Sequence, residues 1–171
     1  TQTGLTREEF EKFTRYCNNS DNTQDNQNRA RVLGYTAENI RIAPGAIIRT
    51  HTVKIAENVI VGLYTYVSGD VTIERIVLIG PHCSLTAGHH KYDPATGWFS
   101  ARTEGDYDNS IVIGEGSWLA SGCTVTAGVR VGRCCLICAN TVVTHDTPDY
   151  AIMAGTPAKA IGKIIPDTGE M

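Results

Sequence analysis

At 171 residues the chain has the length of one domain, and its 42% hydrophobic content is enough to fill a narrow core. A formal charge of -3 excludes the basic footprint of a nucleic-acid binder. No apolar run is long enough to cross a bilayer, and residues 1–13 lack the apolar stretch of a signal peptide, so a soluble, cytoplasmic protein with no membrane partner is expected.

Taken from the N-terminus, Thr6 and Glu9 have the spacing of a capping box, followed by Phe10, Phe13 and Tyr16 at about one helical turn. A short helix is predicted there. Asn18–Asn28 (NNSDNTQDNQN) is strongly polar and reads as a loop or helix connection, either simply solvated or touching substrate.

From Ile42 the chain reads in sixes. First positions are Ile42, Ile48, Ile55, Val61, Val67, Ile73, Ile79 and Leu85, then Ile113, Leu119, Val125, Val131, Ile137 and Val143. Fifth positions are small or β-branched throughout, from Ala46 to Thr147, with His89 the one misfit. A period of six with two inward positions is the signature of a parallel β-helix. Neither an amphipathic helix nor a simple alternating strand produces it. The frame carries one extra residue, read as Lys54, and a break at Lys91–Val112. If three hexads make a triangular coil, Ile55–His90 and Ile113–Pro148 are two coils each.

The interrupting segment holds Tyr92, Pro94, Gly97, Trp98, Phe99, Gly105 and Tyr107. It reads as a loop inserted at a corner, its aromatics packing on something, such as a neighbouring subunit. Beyond Pro148, Ala151–Ile165 reads as a closing turn and an extended segment. The expected organisation is an N-terminal helical and polar segment (1–41), a β-helix (42–148, insertion 91–112) and a closing segment (149–171).

Six cysteines raise the question of disulfides or metal. Cys83, Cys123 and Cys135 fall on the small inward position and read as core residues. Cys134, Cys135 and Cys138 cluster, but no second group completes a zinc-ligand set, so reduced structural thiols and no metal are expected.

Ile113–Lys163, with its ending VTHDTPDYAIMAGTPAKAIGKI and AGTPAK turn, and Ile73–His90 resemble the hexapeptide-repeat acyltransferases, specifically the galactoside/maltose acetyltransferase branch. The resemblance implies an all-β, left-handed parallel β-helix assembling as a homotrimer with active sites between subunits. It implies acetyl-CoA as co-substrate in the intersubunit groove. The implied activity is O-acetyl transfer to a hydroxyl of a sugar or other small molecule.

In that branch the catalytic histidine is sixth in its hexad. With Leu85 first, His90 is sixth, and His89, fifth and therefore expected to point inward, is the alternative. A neutral imidazole can take the proton from the acceptor hydroxyl as its oxygen attacks the thioester carbonyl. Backbone N–H groups would stabilise the oxyanion, and holding both substrates together supplies orientation. His51 and His82, fourth in their hexads, read as surface residues.

The resemblance further assigns Ser121, Ala139, Thr144 and His145 to CoA, largely through backbone groups. Lys159 would approach the nucleotide phosphates, and Lys163 would replace a basic residue that falls on Gly162. Trp118 would lie near the cofactor arm or pack between subunits. The branch's polar sugar ligands fall on Ile60 and Ser68 here, which puts a galactoside or maltose acceptor in question. Asp70, Asp93, Glu104, Asp106 and Asp108 are either solvated carboxylates or substrate contacts. Acceptor specificity is expected in Asn18–Asn28 and Lys91–Val112. Two competing readings remain: a non-catalytic β-helix scaffold, and a γ-carbonic-anhydrase-like metalloenzyme, whose H-x4-H pair this chain lacks.

Overall fold

A computed structural model describes residues 4–49, 51–99 and 109–166. Helix α1, Arg7–Asn19, starts at the expected capping box. The Thr6 amide donates to Glu9 Oε2 at 2.8 Å, and the Glu9 amide donates to Thr6 Oγ1 at 3.3 Å. Its aromatic residues Phe10, Phe13 and Tyr16 stay more than half exposed.

The polar stretch Asn18–Asn28 is not a loop. It spans the end of α1 and the start of helix α2, Thr23–Val32. Asn22 nucleates α2 by accepting the Asp25 amide at 3.0 Å, an N-cap device that overall polarity hides. Ala30 is buried, and Arg29 Nε donates to the Ile42 carbonyl at 2.8 Å, tying α2 to the first coil.

From Arg41 the chain winds into a three-sided parallel β-helix. Each coil gives one short strand to each of three sheets. Sheet 1 stacks Arg41–Ile42, Ile60–Val61, Leu78–Ile79, Trp118–Leu119, Leu136–Ile137 and Ala151–Ala154. Sheet 2 stacks Ile47–Ile48, Tyr66–Gly69, Ser84–Ala87, Thr124–Val125 and Val142–Val143. Sheet 3 stacks Val53–Ile55, Val71–Ile73, Ile111–Ile113 and Arg130–Val131.

In register, the first positions form three inward columns. Ile42, Val61, Ile79, Leu119 and Ile137 make one, and nearly all such side chains are fully buried. Each buried aliphatic contributes roughly 1.5–3 kcal/mol, and the columns sum along the axis. The fifth-position residues Thr65, Cys83 and Cys123 form an inner column closed by hydrogen bonds. Thr65 Oγ1 donates to the Gly80 carbonyl at 2.9 Å, and Cys123 Sγ donates to the Cys138 carbonyl at 3.1 Å.

Two boundaries differ from expectation. Val53, not Thr52, pairs with Val71 and is buried, so the extra residue lies in the turn before Val53 rather than at Lys54. A strand must keep its inward partner, so the slack is taken up in the exposed corner. Likewise Ile111 pairs with Val71 and is fully buried, so the chain re-enters the coil at Ile111 and the last two residues of the expected insertion belong to a strand.

The closing segment is a hairpin: Ala151–Ala154 pairs antiparallel with Lys159–Lys163 on the end of sheet 1. Coils stack closely at the second hexad position. A Cβ on Gly62 would sit 2.5 Å from the Gly80 carbonyl carbon, and one on Gly132 would lie 2.7 Å from the Asp149 amide nitrogen.

Candidate active site

The insertion leaves the β-helix after Ser84–Ala87, at the edge of sheet 2 nearest sheet 3. His89 and His90 lie just beyond, both exposed. The inward slot that the hexad count gave to His89 is filled by Ile111. Once the chain departs at Gly88 the frame no longer applies, so burial does not separate the two histidines.

Within the insertion, Tyr92–Asp93 pairs antiparallel with Trp98–Phe99, and the Tyr92 and Phe99 rings pack at 5.4 Å. Asp93 is occupied by its own turn. It accepts the Ala95 amide and the Thr96 hydroxyl, each at 2.9 Å, and these bonds hold its pKa below the ordinary carboxylate value. Glu104, Gly105, Asp106, Tyr107 and Asp108 lie outside the described residues. Asp70 is exposed, and its carbonyl receives the Ile111 amide at 2.9 Å. His51 and His82 are both exposed, and His82 stacks on Tyr64 with ring centroids 5.4 Å apart.

The residues assigned to the cofactor fall in three places. Thr144 and His145 share the histidine edge of sheet 2, with Thr144 Oγ1 and His145 Nδ1 at 2.9 Å. Ser121 and Ala139 stack at the opposite edge, where the Asn140 amide donates to the Ser121 carbonyl at 2.9 Å. The two edges are separated by about five residues of extended chain, roughly 16 Å. Trp118, 50% exposed, stands on the outer face of sheet 1 between Leu78 and Leu136. Lys159 and Lys163 are exposed on the final strand, opposite Ala154 and Ala151. One chain therefore does not bring the whole set to a single point.

The outward positions form columns of their own, with a chemistry that differs from sheet to sheet. Sheet 1 presents Arg41 and then apolar Ile60, Leu78, Trp118 and Leu136. Sheet 3 presents Lys54, Thr72, Val112 and Arg130. Sheet 2 presents mainly hydroxyls, Tyr66, Ser68, Ser84, Thr86, Thr124, Thr126 and Thr144, with apolar Ile47 and Val142 in the same columns. The signal lay in the second and sixth hexad positions. A groove of about 470 Å³ runs along the other edge of sheet 3, past the Arg75–Glu115 ion pair at 2.6 Å, away from the histidines. Among the described residues, no cluster of His, Cys, Asp and Glu could hold a metal ion. Nor is any helix among them long and apolar enough to cross a membrane.

Residues 110–145 match the family of bacterial transferase hexapeptide (six repeats). A galactoside O-acetyltransferase of Lactococcus lactis subsp. lactis (strain IL1403) is 32% identical over 96 residues, covering 56% of this chain and 44% of that protein. A maltose O-acetyltransferase structure from Clostridium difficile 630 superposes with a TM-score of 0.51 at 23% identity, covering 93% of this chain and 86% of that one. A serine acetyltransferase structure in complex with CoA gives a TM-score of 0.51 at 26% identity, over 68% of this chain and 42% of that one.

Residues 110–145 thus carry the hexapeptide repeat of bacterial transferases, in line with the resemblance read from the sequence. The chain spans about half the length of the curated relatives it matches.

Proposed function

We propose that the protein is an acetyl-CoA-dependent O-acetyltransferase that acylates a hydroxyl of a sugar or another small molecule. The observation that carries this reading is the exposed His89–His90 pair, set where the insertion leaves a coil of the hexapeptide-repeat fold. An imidazole there takes the acceptor proton as the hydroxyl oxygen attacks the acetyl carbonyl. Collapse of the tetrahedral intermediate breaks the C–S bond, and the departing thiolate receives the proton. No covalent enzyme intermediate is required, and Cys83, Cys123 and Cys135 are buried in the core.

The donor is acetyl-CoA, with Ser121, Ala139, Thr144, His145, Lys159, Lys163 and Trp118 as its contacts. The CoA complex of the serine acetyltransferase with the same fold supports this donor. Because those residues occupy separate edges of one chain, a homotrimer with each site shared between neighbouring subunits accounts for them best. The apolar outer face of sheet 1 supports such self-association.

The test is acetyl-CoA turnover against a panel of sugars and hydroxylated compounds, followed as free thiol, for wild type, His89→Ala and His90→Ala. Loss of the catalytic base lowers kcat by about 10²–10⁴-fold in one variant while CoA binding persists. Absence of both turnover and CoA binding in wild type would replace this reading with a non-catalytic scaffold.

A further inference from the structure

The coil carrying His89 and His90 divides the outer face of sheet 2. Above it lie Thr144 and His145, assigned to the donor. Below it lie the strands Tyr66–Gly69 and Ile47–Ile48, where only Ser68 has been given a place, as a position on which the resembled branch's sugar ligands fall. A hydroxyl must come within hydrogen-bond reach of the histidine that activates it, so the rest of the acceptor rests on surface adjoining that coil. With the donor above, the free surface is below.

That surface has a definite chemistry. Ser68 stands beside Thr86 in register, and Tyr66 beside Ser84. Hydroxyls both donate and accept, which suits a polyhydroxylated ring. At its foot is Arg49, exposed and following Ile48, whose partner is Val67. No carboxylate pairs with Arg49 among the described residues, unlike Arg7, Arg15 and Arg75. The register sets Tyr66, Ser68 and Arg49 on neighbouring positions of this face, and the proximity of Ser68 and then Arg49 holds the Tyr66 pKa below that of an ordinary tyrosine. Arg49 lies two strands from Thr86, roughly 10 Å, a span that a monosaccharide plus the arginine side chain bridges.

We infer that Arg49, with Tyr66 and Ser68, is the acceptor subsite of this enzyme, and that it selects a sugar bearing an anionic group about one ring away from the acetylated hydroxyl. A guanidinium without a carboxylate partner is suited to a carboxylate or phosphate, which it can grip through two parallel bonds. The inference rests on the acetyltransferase reading above and gives its acceptor a chemical class.

The test compares galactose, galacturonate and galactose 6-phosphate as acceptors for wild type, Arg49→Gln and Arg49→Lys, with melting temperatures to check folding. In wild type, kcat/KM for one of the acidic sugars exceeds that for galactose by about tenfold or more, the size of a charge-assisted bond. Which one wins distinguishes carboxylate from phosphate. Arg49→Gln removes the acidic-to-neutral ratio, and Arg49→Lys, keeping charge without the fork, restores part of it. A wild-type preference for galactose, or a ratio unchanged in Arg49→Gln, overturns the inference. If acetyl-CoA is not turned over with any sugar, the transferase reading fails separately, and calorimetric titration of the same sugars decides the subsite. Binding of an acidic sugar that depends on Arg49 upholds it, and no such binding overturns it.

Discussion

Gly62 and Gly80 stack in successive coils at one corner, and Gly114 and Gly132 at another, and none of them is there for its backbone angles. Their role is the absence of a side chain where one coil meets the next. At Gly62 an added methyl would meet the Gly80 carbonyl carbon at 2.5 Å, and backbone cannot rotate aside as a side chain can. Gly62→Ala is therefore expected to cost about 1–3 kcal/mol through overpacking, read as a lower denaturation midpoint with an unchanged slope. Ala substitution at Gly88, where nothing lies within 4 Å, serves as the control and leaves that midpoint in place.

At the scale of elements, α1 is held by its cap rather than by burial, since its aromatic face is exposed. The Thr6 amide and hydroxyl hydrogen-bond the Glu9 carboxylate and lower its pKa from the ordinary 4.5. The stabilisation is complete above pH 4.5 and is lost as pH falls through the lowered folded value. Helical circular dichroism should thus decline on acidification in wild type. In Glu9→Gln, which keeps an acceptor for the capping box, that step should vanish. Thr6→Ala should weaken the helix at all pH values by about 1 kcal/mol. A wild-type acid profile identical to that of Glu9→Gln would deny the cap this role.

The same elements show what was legible beforehand. The capping box announced α1 because two side chains at a fixed spacing do the work. Helix α2 was missed because its segment carries few apolar residues and only Asn22 marks its start. The β-helix was readable because each inward column repeats one kind of side chain. The histidine pair was readable as a location, but its orientation was not. Inwardness at that corner depends on Ile111, more than twenty residues further along the chain, coming back to occupy the slot. The hydroxyl face is not legible in the hexad count for a simpler reason: burial constrains the inward positions, whereas the outward columns vary more.

For the whole molecule, three faces differ in chemistry: largely apolar on sheet 1, hydroxyl-rich on sheet 2, mixed with two cations on sheet 3. An apolar stripe of Ile60, Leu78, Trp118 and Leu136 along one flat side is the surface a neighbouring subunit would cover. If the proposed trimer forms through this stripe, Leu78→Asp, which places a charge in its middle, is expected to lower the sedimentation coefficient towards that of a monomer, with the fold retained. An unchanged sedimentation coefficient would move the contact to another face.

The coils on either side of the insertion stack as though it were absent, with Ile79 beside Leu119 and Val71 beside Ile111. The excursion is therefore a cassette. Its length and contents can drift, be exchanged between relatives or be rewritten by design, while the spring that carries it keeps its pitch. Doubling such a loop costs only about 0.6 kcal/mol of closure entropy. A lineage built on this plan can vary one outlying segment without re-solving how to fold.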